Sequence, residues 1–292
     1  MNNKETFSAV GISLLVNFPL LPSMSFAVNN DVDMNPVLYV SGQYRPGISH
    51  FSNFSLKETH YDTKILAKLR EYPLVTYNII AKSNNYNPMP LKDFSYVAEF
   101  EDNAISFSGA VGFSYAEGPR IEIEASYEEF DIKNSKGSSS GDYRYFAVVR
   151  PITPKDPNIK LIPYIQNLKY TVMKNNGLSI GSITINSCYD FTPDDTPISP
   201  YICLGIGGDF IEFFDELHVK LAYQGKIGIS YPIYPKTSIF ANGYYHKVIG
   251  NKFKNLHVQD ISNLDEDPTV TSAVATLNVS YFGGEIGARF TF

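Results

Sequence analysis

Charged residues at alternate positions are the first feature of this chain that could do chemistry. Arg45, then Arg120, Glu122, Glu124 and Glu128, then Lys220 and Lys226, then Glu285 and Arg289 sit among apolar residues in alternating stretches. A period of two places such residues on one face of a strand. Carboxylates gathered with guanidinium and ammonium groups can pair with each other, or can line a polar path that selects solutes by charge. The cysteines Cys188 and Cys203 are the second candidate. They flank a turn-rich segment, Phe191–Pro200, and in an antiparallel hairpin centred on that segment they stand opposite one another. Opposed cysteines in an oxidising compartment can form a cross-strand bridge, while two reduced thiols filling a narrow interior are the alternative.

Other motifs carry less. Gly177–Gly181 fits the G-x-S-x-G pattern, but Ser179 opens an alternating strand and no helix follows, as a nucleophile elbow would need. Gly205–Phe210 lacks the third glycine of a dinucleotide fingerprint. His50, His60, His218, His246 and His257 show no paired metal spacing. Asp265–Asp267 lacks the regular oxygen spacing of a calcium loop and reads as a solvated tip. No catalytic residue, cofactor site or metal site is therefore expected, and the chain does not read as an enzyme.

The elements that must position the charged face are strands. The alternation predicts eight: Val37–Arg45, Ile105–Tyr115, Arg120–Phe130, Ser179–Tyr189, Tyr201–Gly208, Val219–Tyr231, Thr237–Val248 and a closing strand that ends at Phe292. In the closing strand Phe282, Ile286, Ala288, Phe290 and Phe292 share one face; Leu277 and Val279 join it only if a bulge lies near Gly283-Gly284. Chain ends usually fray and stay polar, so a terminal strand finishing on an aromatic fits the last stave of an outer-membrane barrel. Connections alternate in length. Tight turns such as Ala116–Pro119 face long segments at 46–104, 131–178 and 249–272, with Asp209–His218 as a shorter fourth. Short turns at one end and long loops at the other is the build of such barrels. The fold class is thus all-β: a transmembrane antiparallel up-and-down β-barrel of eight strands, or of ten to twelve if Leu74–Ala81 and Phe94–Glu101 also cross.

The start of the chain has another task. A weakly charged Met1–Glu5, an apolar Val10–Leu21 and a small-residue site at Ser25–Ala27 read as a secretory signal peptide over 1–27, leaving 28–292 as the barrel domain. The chain has 21 Tyr, 20 Phe and no Trp, enough rings for two interfacial girdles. Mean hydropathy is only −0.14, as befits a wall whose alternate residues face inward. A formal charge of −6 without basic clusters argues against nucleic acid as a partner.

The stretches Gly42–Pro46, Ser49–Phe51, Gly118–Asp131, Ser199–Gly207, Tyr223–Tyr231, Tyr245–Asn251 and Phe282–Phe292 together resemble the major surface antigens of Ehrlichia and Anaplasma. The resemblance runs over nearly all of 28–292 and is weakest at Ser52–Asp102 and Ser135–Lys169. It implies an outer-membrane barrel of a Gram-negative cell that displays variable loops to the host, and for some members pore activity. The expectations are therefore a surface antigen with a structural and interaction role, or a passive diffusion porin. Its partners would be the outer-membrane bilayer, host surface proteins and antibodies; both termini would be periplasmic. Inside, Arg45, Arg120, Glu122, Glu124, Lys226, Glu285 and Arg289 would form a lumen polar network, either a salt-bridged plug or a charged constriction.

Overall fold

A computed structural model describes residues 35–61, 63, 65–69, 91–93, 95–133, 144–150, 169–193, 196–262 and 272–292. The expected signal peptide, the candidate strand Leu74–Ala81, the turn residues Asp194-Asp195 and the acidic tip Asp265–Asp267 lie outside the described residues.

Eight long strands close into one antiparallel barrel: β1 (Val37–Tyr44), β2 (Phe107–Ser114), β3 (Pro119–Phe130), β4 (Leu178–Asp190), β5 (Ser199–Phe213), β6 (Glu216–Tyr234), β7 (Thr237–Val248) and β8 (Ser280–Thr291). Each pairs with its sequence neighbour, and β8 closes on β1 through six register positions, from Tyr39↔Thr291 to Tyr44↔Ile286. The barrel therefore has eight staves, not ten or twelve; of the second candidate crossing, Ser95–Glu101 contributes only a single bridge, Phe100↔Ile132.

The register fixes the barrel's shape. One row runs Val219, Phe210, Gly181, Tyr127, Phe107, Tyr44, Ile286, Ala241 and returns to β6 at Ile229, ten residues along. A shear of ten across eight strands, at about 3.3 Å per residue and about 4.8 Å between strands, tilts the staves by about 40°. Such a barrel is narrow enough for its own side chains to fill. Outward positions are apolar and exposed, among them Val111, Phe113, Ile121, Ile123, Ile227, Ile229, Ile286 and Phe290. Inward positions are buried.

Two expectations need correction. Asp209–His218 is no loop: β5 continues to Phe213, and Phe214-Asp215 turns it into β6 with both residues in the left-handed region, at φ 54° and 59°. Positive φ at both central positions suits the tight turns that join strongly twisted strands. Nor does β8 carry a bulge at Gly283-Gly284, since it pairs with β7 without a shift from Ser280 to Phe290. Leu277, Val279 and Tyr281 keep the inward phase, and all three are buried.

They are apolar because the interior changes character along the axis. At the long-loop end the described parts of the connections fold into a cap. Ser52–Glu58, Lys252–Leu256 and Ala273–Asn278 form a three-stranded sheet that grows from β1, β7 and β8. A five-stranded sheet contains Ile65–Leu69, Leu91–Asp93, Tyr145–Val149, Tyr170–Lys174 and Asp260–Ser262. The inward residues Phe130, Ile180, Ile211, Phe213, Val248 and Tyr281 of the staves join Leu56, Phe146, Met173, Phe253 and Leu277 of the cap in one apolar core. Barrel and cap are thus a single packed body at that end, with the polar residues below.

Candidate functional site

Arg45 is the centre of the polar interior. It follows β1, where the inward phase of Tyr39 and Gln43 carries it into the lumen, and it is 1% exposed. Its Nη1 lies 2.6 Å from Glu124 Oε1, and its Nε lies 3.2 Å from Glu128 Oε1 and 3.4 Å from Glu285 Oε1. The guanidinium also covers the Tyr244 ring at 4.1 Å. Lys226 Nζ, from β6, bridges Glu124 Oε2 at 2.6 Å and Glu285 Oε2 at 2.9 Å. Neutral side chains take up remaining lone pairs. Asn186 Nδ2 donates to Glu124 Oε2 at 2.8 Å, Asn242 Nδ2 donates to Glu285 Oε2 at 2.8 Å, and Asn103 Nδ2 donates to Glu128 Oε2 at 2.8 Å. Ions packed this closely, from strands on opposite walls, cross-brace the barrel.

A second cluster lies towards the short-turn end. Arg120 Nη1 meets Glu122 Oε2 at 2.5 Å, and the Tyr39 hydroxyl donates to the same oxygen at 2.5 Å. Arg120 Nε also reaches Asp190 Oδ2 at 3.1 Å, and Arg289 Nη1 approaches that oxygen at 3.7 Å. Arg289 covers the rings of Tyr39 and Phe240 at 5.1 and 5.5 Å. Beside them Cys188 and Cys203 are joined as a disulfide, directly opposite in register with Cα atoms 4.0 Å apart. Arg120 Nη2 lies 3.7 Å from Cys203 Sγ.

The structure thus brings Arg45, Glu124, Lys226 and Glu285 into one network, and Arg120, Glu122 and Arg289 into its neighbour; Asn186, bonded to both Glu122 and Glu124, links the two. Lys220 belongs to neither. It sits at the long-loop rim, where Nζ donates to the Lys252 carbonyl at 3.0 Å. A third buried group went unread in the sequence: His246 Nε2 lies 2.9 Å from Asp209 Oδ2 and its ring stacks on Tyr281 at 4.7 Å. Asp209 keeps the inward phase of β5 and His246 that of β7, so continuing β5 by its period points both side chains into the lumen, while their contact depends on the barrel's shear.

Chemically, this interior compensates itself. Its carboxylates and cations meet within ion-pair distance, from 2.5 Å at Arg120–Glu122 to 3.7 Å at Arg289–Asp190, and Arg45, Glu124, Glu128, Asp209, His246 and Glu285 are each at most 1% exposed. Glu122, Cys188 and Cys203 lie together, with both sulfurs engaged in the disulfide. Ser179 of the G-x-S-x-G match stands on β4 between Glu129 and Glu212 in register, facing outward, with no strand-to-helix turn beneath it.

The structure is similar to Neisserial surface protein A (12% identity, 87% of this chain and 97% of that one, TM-score 0.37). It is also similar to Ail, the attachment invasion locus protein of Yersinia pestis, solved with the heparin analogue sucrose octasulfate (10% identity, 89% and 100%, TM-score 0.34). In sequence the chain is 30% identical over 303 positions to Major surface antigen 4 of Anaplasma marginale, covering all of both chains. The family model described as "Surface antigen" matches residues 30–292, and the chain belongs to that family.

Proposed function

We propose that this protein is an outer-membrane surface antigen whose barrel is a closed scaffold, holding a folded cap outside the cell for contact with host proteins and antibodies. The observation that carries this reading is the single apolar core shared by stave ends and cap strands. A loop that merely connects strands has no need of such a core; a displayed structure does, because a binding surface gains from being held rigid. In this orientation the segments 46–104 and 131–178 are extracellular and both termini are periplasmic, the usual arrangement when short turns share the side of the termini.

The diffusion-porin reading is less well supported. Passage of hydrophilic solutes needs a wet path, whereas the charged residues of the lumen are buried against each other below an apolar ceiling. Two measurements test the proposal. External protease on intact cells should cut within 46–104 or 131–178 and spare the β4–β5 turn. Refolded protein in planar bilayers should show no steady conductance steps; reproducible steps of porin size would overturn the closed scaffold.

A further inference from the structure

The apolar coat of the barrel is taller on one side than a membrane requires. Outward aromatic residues mark two rings. Tyr127, Tyr223, Tyr245 and Phe282 lie towards the long loops; Tyr189, Tyr231 and Phe290 lie towards the short turns. On β6 the rings are Tyr223 and Tyr231, about 20 Å apart along the axis at 40° tilt, in keeping with an apolar band of about 25 Å. On β3 the outward residue beyond Tyr127 is Glu129, and on β4 the corresponding position is Ser179. There the coat stops at the ring.

On β6 it continues. Leu221, Val219 and Leu217 follow Tyr223 outward, with exposures of 68%, 67% and 55%. From Leu217 to Ile233 the outward residues of β6 are apolar over about 40 Å of axial height, against the band of about 25 Å. Phe210 of β5 lies beside Val219 in register, and Ile249, just past β7, donates its N–H to the Leu221 carbonyl at 2.7 Å. Both are exposed as well. The patch therefore lies above the ring, on the β5–β6–β7 side, continuous with the lipid-facing wall below it. Exposed apolar patches of this kind mark contact surfaces.

Its flanks differ in charge. Glu212 of β5 is paired in register with Leu217. On the other side of β6 runs the segment Lys252–Leu256, held there by Lys220 Nζ on the Lys252 carbonyl and His218 Nε2 at 3.0 Å from the Lys254 carbonyl. Lys252 and Lys254 are exposed. One apolar strip thus has an acidic edge on its β5 side and a basic edge on its β7 side.

We propose that this surface is where two copies of the chain meet, about a two-fold axis along the membrane normal that passes beside Val219. That axis sets the β5 side of one copy against the β7 side of the other, so Glu212 faces Lys252 and Lys254 twice over. Closed two-fold contacts are self-complementary in this manner. A stable contact buries about 800 Å² per partner. The strip supplies its upper part, and Tyr223, Leu204 and Ile206 directly below exchange lipid for protein to supply the rest. The inference uses the immersion of the barrel in a membrane and holds whether or not the cap binds host proteins.

The test is oxidative cross-linking of the full chain in outer membranes and in phospholipid vesicles. Because Cys188 and Cys203 are already joined, Val219→Cys provides the free thiol, and it lies on the axis against its own symmetry mate. A reducible dimer is expected in at least about tenfold higher yield than for Val111→Cys on the opposite wall, the contrast between a specific contact and random collision. In the V219C background, Glu212→Lys and Lys254→Glu should each lower the yield by about two- to fivefold, the size of an exposed ion pair, and together restore it. Folding of each variant is checked by its heat-dependent migration in detergent gels. A V219C yield no higher than that of V111C overturns the contact and leaves lipid or another protein as the cover. A charge swap without rescue overturns the two-fold geometry.

Discussion

Replacing Arg45 by methionine tests the cross-bracing most directly. The side chain keeps an apolar stem but loses the guanidinium that faces Glu124, Glu128 and Glu285 at 2.6, 3.2 and 3.4 Å. Lys226 still serves Glu124 and Glu285, so the burden falls on Glu128, which is fully buried and retains Asn103 as a donor. Removing one partner of a buried ion pair costs about 3–5 kcal/mol, because the other charge is left uncompensated. The remaining lysine argues for the lower end, about 3 kcal/mol. Adding Glu128→Gln removes the stranded charge, so the double variant should recover about 1–2 kcal/mol relative to Arg45→Met alone. Reversible urea unfolding of the protein in phospholipid vesicles, followed by tyrosine fluorescence and far-ultraviolet dichroism, measures both. A loss below about 1 kcal/mol for Arg45→Met, or full additivity of the two changes, would refute a lumen held together by these ions.

Three further outcomes follow from the same geometry. Ile123→Arg on the outer wall should destabilise the barrel by about 2–4 kcal/mol, while Glu129→Arg beyond the aromatic ring should cost less than about 1; equal losses would mean the membrane band is misplaced. Cys188→Ala with Cys203→Ala opens a closed segment with a sequence separation of 15 and should lower unfolding free energy by about 3 kcal/mol in the chain-entropy treatment, as should reductant on the native protein. Alkylation and mass spectrometry of the two peptides confirm the bridge, and a midpoint indifferent to reductant contradicts its contribution. Gly228→Ala should cost about 1–3 kcal/mol, because an added Cβ meets the Ala241 carbonyl at 2.4 Å, whereas at Gly42 it meets nothing within 4 Å and Gly42→Ala should be neutral within about 0.5 kcal/mol.

Much of this was legible in the sequence because the side-chain period of a strand is two, and one phase suffices to sort wall from lumen. Arg120, Glu122, Glu124, Lys226 and Glu285 announce themselves as polar residues on an otherwise apolar stave. What misled was glycine. Gly207-Gly208-Asp209 looks like the end of a strand, yet β5 runs on through it. A Cβ at Gly207 would fall 2.1 Å from the Ile183 carbonyl, and one at Gly205 would fall 2.0 Å from Asn186 Oδ1. These glycines make room for neighbours in a crowded interior, and the real turn at Phe214-Asp215 contains none. Ending the strand early also hid Asp209 and its contact with His246. Contact partners across the lumen were beyond reach for a different reason. Period fixes which way a residue points, but shear decides which residues share a height.

The apparent slip in the closing strand has the same root and says most about the molecule. Leu277 and Val279 look misplaced because the rule below them is polar inside and apolar outside. They obey the phase and change the content, since above the ionic layer the interior is an ordinary protein core. A barrel whose ceiling is apolar can be continuous with a folded domain, because side chains of stave and cap then exclude water together. The division of the interior into an ionic floor and an apolar ceiling therefore ties the barrel to its cap. Substitutions in the exposed connections leave that tie intact so long as Leu56, Phe146, Met173 and Phe253 still pack on the stave ends.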